Sequence, residues 1–295
     1  MPLPPGVSSD DFSAAITAFE NIVGKEWVFA SDEDAALYRD AYSIYMGEEE
    51  DYWASGGIAP TTVEQVQAIV RVANQYRIPI YAISNGKNYG MGGSAPNYSG
   101  SFCIDLKRMN KIIDVDEQAA TCLVEPGVSY FDLYRHIKKN KLKVWIDCPD
   151  PGWGSVMGNA LDHGQGHTST EFRDHFAAHC GMEVVLPNGE LLRTGMGAMP
   201  NSPIWQRYQY GLGPSLDGLF NQSNLGIVTK MGFFLMPEPE GMLDVYVDVP
   251  LYDDLVPLID IHTYLQNSNM ATGKGNLLSP SMKRPLYLYL SLIHI

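Results

Sequence analysis

Apolar residues recur at helical spacing in three segments of the chain, and short apolar runs separate these segments. The helical patterns cover residues 10–19, 61–76 and 129–140. The short runs have the length of strands, and they lie at residues 78–83, 101–106, 112–115, 121–124, 144–146, 182–186, 190–194 and 227–236. The pattern therefore predicts a chain in which a few helices alternate with short strands.

Local signals predict where several of these elements begin or turn. Asp10 or Asp11 is expected to cap the first helix, and Thr61 with Glu64 has the spacing of a capping box for the second. Asn188-Gly189 lies between two apolar runs and predicts a hairpin whose turn residues take φ > 0.

Prolines mark a boundary near the end of the chain. Pro237 and Pro239 follow the longest predicted strand, and a new strand and a new helix follow at residues 243–249 and 255–265. We therefore expect a helical lead-in, a main unit, the opening of a further unit and a tail, with bounds at 1–53, 54–239, 240–289 and 290–295. The tail is similar to a translated sequencing adaptor, which would make it an assembly artefact; the alternative is a natural terminal strand.

Composition limits the classes of partner. The 295 residues include 34 acidic and 20 basic side chains, and the formal charge of −14 disfavours nucleic acid and anionic membranes while allowing a pocket for one small anion. The acidic run at 48–51 is interpreted as a solvated loop. No secretory leader opens the chain and no apolar run approaches the roughly 20 residues that cross a bilayer, so a cytoplasmic protein is expected.

The 28 glycines are concentrated in a few segments, and one segment has the composition of a phosphate-binding loop. It runs from Ser84 to Gly90 directly after a predicted strand, and it combines Lys87 with backbone N–H groups that no Cβ shields. Residues 152–158 look at first like a dinucleotide-binding fingerprint. Their G-x-G-x-x-x-G spacing and the prolines before them exclude that interpretation.

Two groups of polar residues have alternative interpretations. His163, His167, His175 and His179 have a spacing that could suggest a metal site, but glycines separate the first pair and no third ligand follows. Structural or cofactor-side histidines are therefore favoured, and no metal is predicted. Asp150, between two prolines, is either a turn former, which its spacing alone favours, or a positioned acid or base.

Five stretches of the main unit are together similar to the vanillyl-alcohol oxidase/p-cresol methylhydroxylase family of FAD oxidoreductases. They are ISNGKN at 83–88, VEPGV at 124–128, PDPGWGSVMGNA at 149–160, GMEVVLPNGELLRTGMG at 181–197 and DGLFNQSNLGIVTK at 217–230. The resemblance covers about residues 54–239. It implies an FAD-binding domain of two α+β subdomains with the flavin between them, followed by the start of an α+β substrate or cap domain.

The same resemblance implies which segments hold FAD. The first glycine loop would bind the pyrophosphate, and the second glycine segment and a later turn would line the flavin and the adenine. The cofactor residues implied in this way are Ser84, Asn85, Gly86, Lys87, Asn88, Tyr89, Gly90, Pro149, Gly154, Ser155, Gly158, Asn159, Gly226, Ile227 and Val228.

The family chemistry is oxidation of para-substituted phenols at the benzylic carbon, with hydride transfer to the flavin N5 atom. Asp150 matches an aspartate beside N5, and His167 aligns with a tyrosine near the flavin, so the resemblance makes both candidate catalytic residues. Met91 stands at the substrate position where the oxidases have a phenolate-binding tyrosine. Since a thioether donates no hydrogen bond, Met91 leaves the phenol specificity open.

The resemblance implies a small, phenolic substrate, O2 or a cytochrome as electron acceptor, and a homo-oligomeric full-length protein. One alternative is an enzyme of the same fold that acts on a non-phenolic substrate such as a 2-hydroxy acid, which Met91 favours. The other is a non-catalytic FAD-binding fragment, because the rest of a cap domain and any residue for covalent flavin attachment would lie beyond Tyr289. We expect the 295-residue chain by itself to be inactive.

Overall fold

The computed structural model describes residues 2–48, 51–88, 91–149, 152–166, 172, 174–248, 251–268, 270–271 and 287–293. Its helices are α1 (Ser9–Val23), α2 (Asp32–Ala35), α3 (Val63–Tyr76), α4 (Tyr130–Asn140), α5 (Val156–Leu161) and α6 (Leu255–Asn267). Its strands are β1 (Val28–Phe29), β2 (Gly57–Ile58), β3 (Ile80–Ile83), β4 (Phe102–Asp105), β5 (Ile112–Asp116), β6 (Thr121–Val124), β7 (Val144–Trp145), β8 (His179–Val185), β9 (Leu191–Arg193), β10 (Ile227–Phe234), β11 (Met236–Pro237), β12 (Met242–Asp248) and β13 (Tyr287–Ile293).

The first subdomain is a four-stranded sheet in the order β1-β2-β4-β3, with α1 and α3 packed beside it. Strands β2, β4 and β3 are parallel, and β1 is antiparallel to β2. Phe12, Phe19 and Phe102 join α1 to the sheet, and the rings of Phe19 and Phe102 stack with their centroids 5.2 Å apart. Because β1 lies at residues 28–29, the segment before residue 54 contributes a strand as well as helices to this subdomain.

The second subdomain is a five-stranded antiparallel sheet in the order β5-β6-β10-β8-β9. Helices α4 and α5 cover one of its faces. Side chains alternate along its central strands, so that Val184 and Val228 enter the core under α4 while Val185 and Ile227 enter the core of the first subdomain. The two subdomains therefore share apolar packing through this sheet.

Helix α1 begins before the predicted caps. Ser8 is its N-cap and accepts a hydrogen bond from the backbone N–H of Asp11 at 3.1 Å, so the prediction of Asp10 or Asp11 as cap is wrong. Both aspartates lie in the first turn instead, where a carboxylate is favoured by the positive end of the helix dipole.

The predicted capping box of α3 is also wrong by one residue. Thr62 is the N-cap and accepts from the backbone N–H of Gln65 at 3.3 Å. Thr61 instead donates its backbone N–H to Gln65 Oε1 at 2.7 Å, because the side chain of Gln65 folds back over the helix start. The shift leaves the apolar stripe of the helix unchanged, and its end at Tyr76 is confirmed.

The predicted hairpin is confirmed as β8–β9, but its turn is longer than the Asn-Gly signal suggested. Leu186 donates to the carbonyl of Glu190 at 2.8 Å, and Gly189 donates back to Leu186 at 2.8 Å, which leaves a loop of residues 187–189. Only Gly189 in this loop has a positive φ, +79°. Asn188 contributes through its side chain, which accepts from the N–H of Glu190 at 2.9 Å.

The acidic run at 48–51 is not wholly solvated. Asp51 is buried and ion-paired with Arg39, whose guanidinium lies 4.1 Å from the centre of the Trp53 ring. Glu48 is exposed, as expected for a solvated loop.

After the prolines at 237 and 239 the chain forms β12, helix α6 and β13, and β12 pairs with β13 in antiparallel register. Leu290 to Ile293 of the predicted tail belong to β13. Within the described ranges, none of the helices has the length and apolar character needed to span a bilayer.

Candidate functional site

Two neighbouring parallel strands end at the same edge of the first sheet. Strand β3 ends at Ile83 and β4 ends at Asp105, and these two residues are register partners. The turns that follow the two strands therefore lie side by side, which is where open α/β sheets place their ligands. The first turn is the glycine loop that begins at Ser84.

A cleft of about 500 Å³ opens at this edge, between the two subdomains. That volume suits a small-molecule ligand, since such sites usually measure about 300–1,000 Å³. The first subdomain and the segment before it contribute Phe29, Leu37, Tyr38, Ile83, Asn85, Gly86, Lys87, Ser94, Asp105, Lys107 and Asn110, and the second contributes Gly127, Ser129, Asp132 and Trp153.

The two glycine segments predicted from the sequence meet beside this cleft. A Cβ placed on Gly158 would lie 2.2 Å from the Ser84 hydroxyl oxygen, so only glycine allows this approach. Gly86 has φ +61°, and a Cβ there would lie 3.0 Å from the side chain of Ser94. The glycine loop is therefore folded tightly, and the side chain of its first residue, Ser84, packs against Gly158 of α5.

Ser155 fixes the start of α5. Its hydroxyl donates to the carbonyl of Pro126 at 2.6 Å and accepts from the N–H of Gly158 at 2.9 Å. Gly154 accepts from the N–H of Tyr130 at 3.1 Å, so the second glycine segment is also bound to the start of α4. These bonds hold the predicted residues 154–158 against the VEPGV stretch.

Two hydrogen bonds join the glycine loop to the second subdomain. Asn88 donates its side-chain amide to the carboxylate of Asp162 at 2.9 Å, and the Asn85 amide lies 3.4 Å from the carbonyl of Trp153. Burial raises the pKa of Asp162, which follows the last residue of α5. These two bonds therefore hold the glycine loop against the second subdomain.

The turn after β4 carries polar residues that the sequence analysis missed. Asp105 is buried and accepts from Tyr38 at 3.4 Å, from the N–H of Lys107 at 3.1 Å and from its ammonium group at 2.7 Å. Burial, with the nearby Asp105 carboxylate, raises the pKa of Tyr38. The available signal was the position of Asp105 at the end of a strand parallel to β3.

Two of the four histidines form buried pairs with carboxylates. The Nε2 atom of His175 lies 2.5 Å from Asp147, and that of His179 lies 2.8 Å from Asp217. Neither histidine lies in a helix, because residues 175–178 form turns and His179 begins β8. Among the described residues no group of three His, Cys, Asp or Glu side chains could hold a metal ion.

The remaining predicted residues have different placements. Ile227 and Val228 are buried in the two cores, and a Cβ on Gly226 would lie 2.5 Å from Val184, so this turn packs tightly against β8. Pro149 is half-buried, and Met91 is 81% exposed. The predicted residues Tyr89, Gly90, Asp150 and His167 lie outside the described residues.

The residues around the cleft fit FAD. Backbone N–H groups at a glycine turn, the ammonium groups of Lys87 and Lys107, and the hydroxyl of Ser129 are suitable donors to phosphate and ribose oxygens. Two glycine segments with no room for a Cβ allow the backbone to approach a flat ring system. No metal is needed for these contacts.

Comparison with known proteins also indicates an FAD-binding protein. Residues 54–195 match the family model described as the FAD binding domain. The chain is 41% identical over 269 residues to the 4-cresol dehydrogenase [hydroxylating] flavoprotein subunit of Pseudomonas putida, which covers 90% of this chain and 51% of that relative. The chain is a flavoprotein whose cofactor is FAD.

Solved structures narrow the class. Substrate-bound p-cresol methylhydroxylase matches with a TM-score of 0.91 and 34% identity over 99% of this chain and 62% of that one. The 4-ethylphenol oxidase of Gulosibacter chungangensis, in complex with isoeugenol, matches with a TM-score of 0.89 and 35% identity over 100% of this chain and 62% of that one. The chain is similar to p-cresol methylhydroxylase-type FAD flavoproteins over nearly all of its length, which confirms the resemblance and the fold class. It spans about half the length of the curated relative.

Proposed function

We propose that the protein is the flavin-binding part of an FAD-dependent oxidoreductase that oxidises the benzylic carbon of para-substituted phenols, such as a 4-alkylphenol or a 4-hydroxybenzyl alcohol. The observation that carries the proposal is the meeting of Ser84 and Gly158, which brings both predicted cofactor segments to one cleft. The relative and the two solved structures, whose names specify 4-cresol, p-cresol and 4-ethylphenol, support a phenolic substrate.

FAD, when bound, supplies the hydride acceptor of this reaction at its N5 atom. The residues of the chain would position it: the loop from Ser84 to Lys87 would bind the diphosphate, and residues 154–159 would lie along the ring. Asp150 would stabilise charge beside the reacting carbon, and His167 would donate a hydrogen bond near the substrate. The electrons would then pass to O2 or to a cytochrome.

A second candidate is oxidation of a non-phenolic substrate, such as a 2-hydroxy acid, by the same fold. It is favoured by Met91, because a thioether at the substrate position donates no hydrogen bond to a phenolate oxygen. The 81% exposure of Met91 leaves that side chain accessible to a substrate in this chain.

The test begins with a titration of residues 1–295 with FAD, in which binding is measured by the quenching of flavin fluorescence. It continues, on a chain extended to the length of the relatives, with anaerobic mixing against p-cresol, 4-ethylphenol, vanillyl alcohol, D-lactate and glycolate. Bleaching of the flavin absorbance by the phenols alone is the expected result. Bleaching by a hydroxy acid alone would select the second candidate, and no FAD binding would overturn both.

A further inference from the structure

A buried polar network lies directly behind the predicted flavin segment. It consists of Asp147, His175, Tyr130 and Asn159, which come from the loop after β7, the turn before β8, the first residue of α4 and the middle of α5. Asp147, His175 and Tyr130 are all more than nine-tenths buried. Burying a carboxylate and an imidazole together usually contributes little to net stability, so stability alone does not account for such a pair.

Hydrogen bonds connect the four side chains of this network. His175 Nε2 donates to Asp147 at 2.5 Å, and His175 Nδ1 contacts the side-chain oxygen of Asn159. The Tyr130 hydroxyl lies 3.2 Å from the same oxygen and 3.1 Å from His175 Nδ1. The carbonyl oxygen of the Asn159 amide is therefore directed into the network.

Surrounding backbone leaves the network little freedom to rearrange. A Cβ on Gly166 would lie 2.3 Å from the Asp147 carboxylate, and a Cβ on Gly164 would lie 2.2 Å from the Asn159 amide. The N–H of His175 donates to the carbonyl of Gly164 at 2.9 Å. These contacts fasten the segment around residues 164–166 over the two side chains.

The nitrogen of the Asn159 amide, Nδ2, can donate hydrogen bonds outside the network. Asn159 is half-buried, and its Nδ2 group makes no hydrogen bond with any residue that the structure describes. The Tyr130 hydroxyl donates to the Asn159 oxygen, and His175 Nδ1 contacts the same oxygen. Because an amide oxygen only accepts, the oxygen faces the network and Nδ2 faces away from Tyr130 and His175.

We propose that the Asp147–His175 pair positions Asn159, holding its amide oxygen inward so that its Nδ2 group is a hydrogen-bond donor to the acceptor-rich edge of the flavin. Asp147 and His175 are positioning residues, which act on the cofactor only through Asn159. The inference rests on the assignment of Asn159 to the FAD site in the proposed function.

The experiment compares two isosteric changes, Asp147→Asn and Asp217→Asn. The second breaks the other buried His–Asp pair, His179–Asp217, and is a matched control for the structural cost. FAD affinity is measured by fluorescence quenching, the absorption spectrum of the bound flavin is recorded, and thermal unfolding is followed without cofactor.

Both aspartate variants are expected to lower the unfolding temperature to a similar extent. Only Asp147→Asn should weaken FAD binding, by roughly tenfold, which corresponds to the loss of one oriented hydrogen bond. Asn159→Asp, which keeps an inward oxygen but lacks the Nδ2 donor, should weaken binding to a similar degree and shift the bound-flavin spectrum in the same direction.

The double variant Asp147→Asn/Asn159→Asp should bind FAD no more weakly than the weaker single variant, because both changes remove the same contact. An equal loss of FAD affinity in Asp147→Asn and Asp217→Asn would overturn the inference. Fully additive losses of FAD affinity in the double variant would also overturn it. Where Asp147→Asn does not fold, His175→Gln provides the same comparison against His179→Gln. Failure of the unaltered chain to bind FAD would instead count against the proposed function.

Discussion

The hydroxyl oxygen of Ser84 lies so close to Gly158 that a Cβ on Gly158 would be only 2.2 Å from it. Ser84 begins the loop after β3 in the first subdomain, and Gly158 lies on α5 in the second. The contact is therefore the place where the two halves of the flavin cleft are brought together, and it requires that one of the two residues has no side chain.

Gly158→Ala tests this requirement. Alanine should lower the free energy of unfolding by about 1–3 kcal/mol through overpacking, although alanine is otherwise the better helix former. FAD binding should weaken with it, because the added methyl group separates the two segments. Chemical unfolding and FAD titration measure the two effects.

The added change Ser84→Ala provides the rescue for that variant. It removes the hydroxyl oxygen and leaves a Cβ at 3.2 Å, so the stability of Gly158→Ala/Ser84→Ala should recover. Gly218→Ala is the control, since a Cβ there has no heavy atom within 4 Å. If Gly158→Ala were as stable as Gly218→Ala, the two subdomains would not need the close contact between Ser84 and Gly158.

The four cysteines should differ sharply in reactivity. Cys103, Cys122 and Cys180 are buried, whereas Cys148 is exposed. Burial, with the nearby Asp217 carboxylate, raises the pKa of Cys180 to about 12, and burial likewise raises the pKa values of Cys103 and Cys122. Because the thiolate is the reactive form, titration with a disulfide reagent at pH 8 should show one fast thiol in the native protein and four after unfolding. Cys148→Ser should remove the fast phase, and its persistence in that variant would contradict the burial of the other three.

Glu183 is a fully buried carboxylate on β8, an inner strand of the second sheet. It accepts from Arg193 Nε at 2.9 Å, from Lys230 at 2.9 Å and from the Thr229 hydroxyl at 3.0 Å. Glu183→Gln leaves two cations without their counter-charge and should lower the free energy of unfolding by roughly 2–3 kcal/mol.

The exposed Glu190 of the same hairpin is the control for Glu183. Glu190→Gln should change the free energy of unfolding by less than about 0.5 kcal/mol. Urea unfolding of both variants makes the comparison, and equal small changes would mean that the buried charge does not hold β8, β9 and β10 together.

Glu238 should make stability depend on pH in the acid range. Hydrogen bonds from Lys143, Trp145 and Lys138 lower the pKa of Glu238 from 4.5 to about 2. A carboxylate with a lowered pKa in the folded state stabilises the protein above its unfolded-state value and loses that effect as pH falls. The stability difference between wild type and Glu238→Gln should therefore be constant from pH 5 to 7 and shrink between 4.5 and about 2.

Salt gives a second check on the Glu238 prediction. The group is at the surface, so the difference should be small and should decrease further at high ionic strength. Glu240→Gln, a neighbouring exposed carboxylate, serves as the control in urea unfolding at pH 3 and pH 6. A difference that grows as pH falls would contradict the assigned direction.

Periodicity and motif determined much of this protein from the sequence alone. The apolar stripe of α3 and the Asn188-Gly189 hairpin are local patterns, and local patterns survive in the fold because they need no distant partner. The residue types of the loop at 84–90 predicted phosphate binding, because glycine lets backbone N–H groups approach a ligand closely, and the resemblance to a known family implied FAD. The N-cap of α3 was missed by one residue, because Thr61 and Thr62 are adjacent and either hydroxyl group could cap the helix.

Only the tertiary structure decided which of these patterns meet. Three contacts each join residues that are far apart in the chain: the approach of Ser84 to Gly158, the pairing of Asp147 with His175, and the hydrogen bond from Tyr38 to Asp105. Such contacts depend on strand order and on the packing of two subdomains, which spacing along the sequence does not contain. A buried charge reveals its partner only after the chain has folded around it.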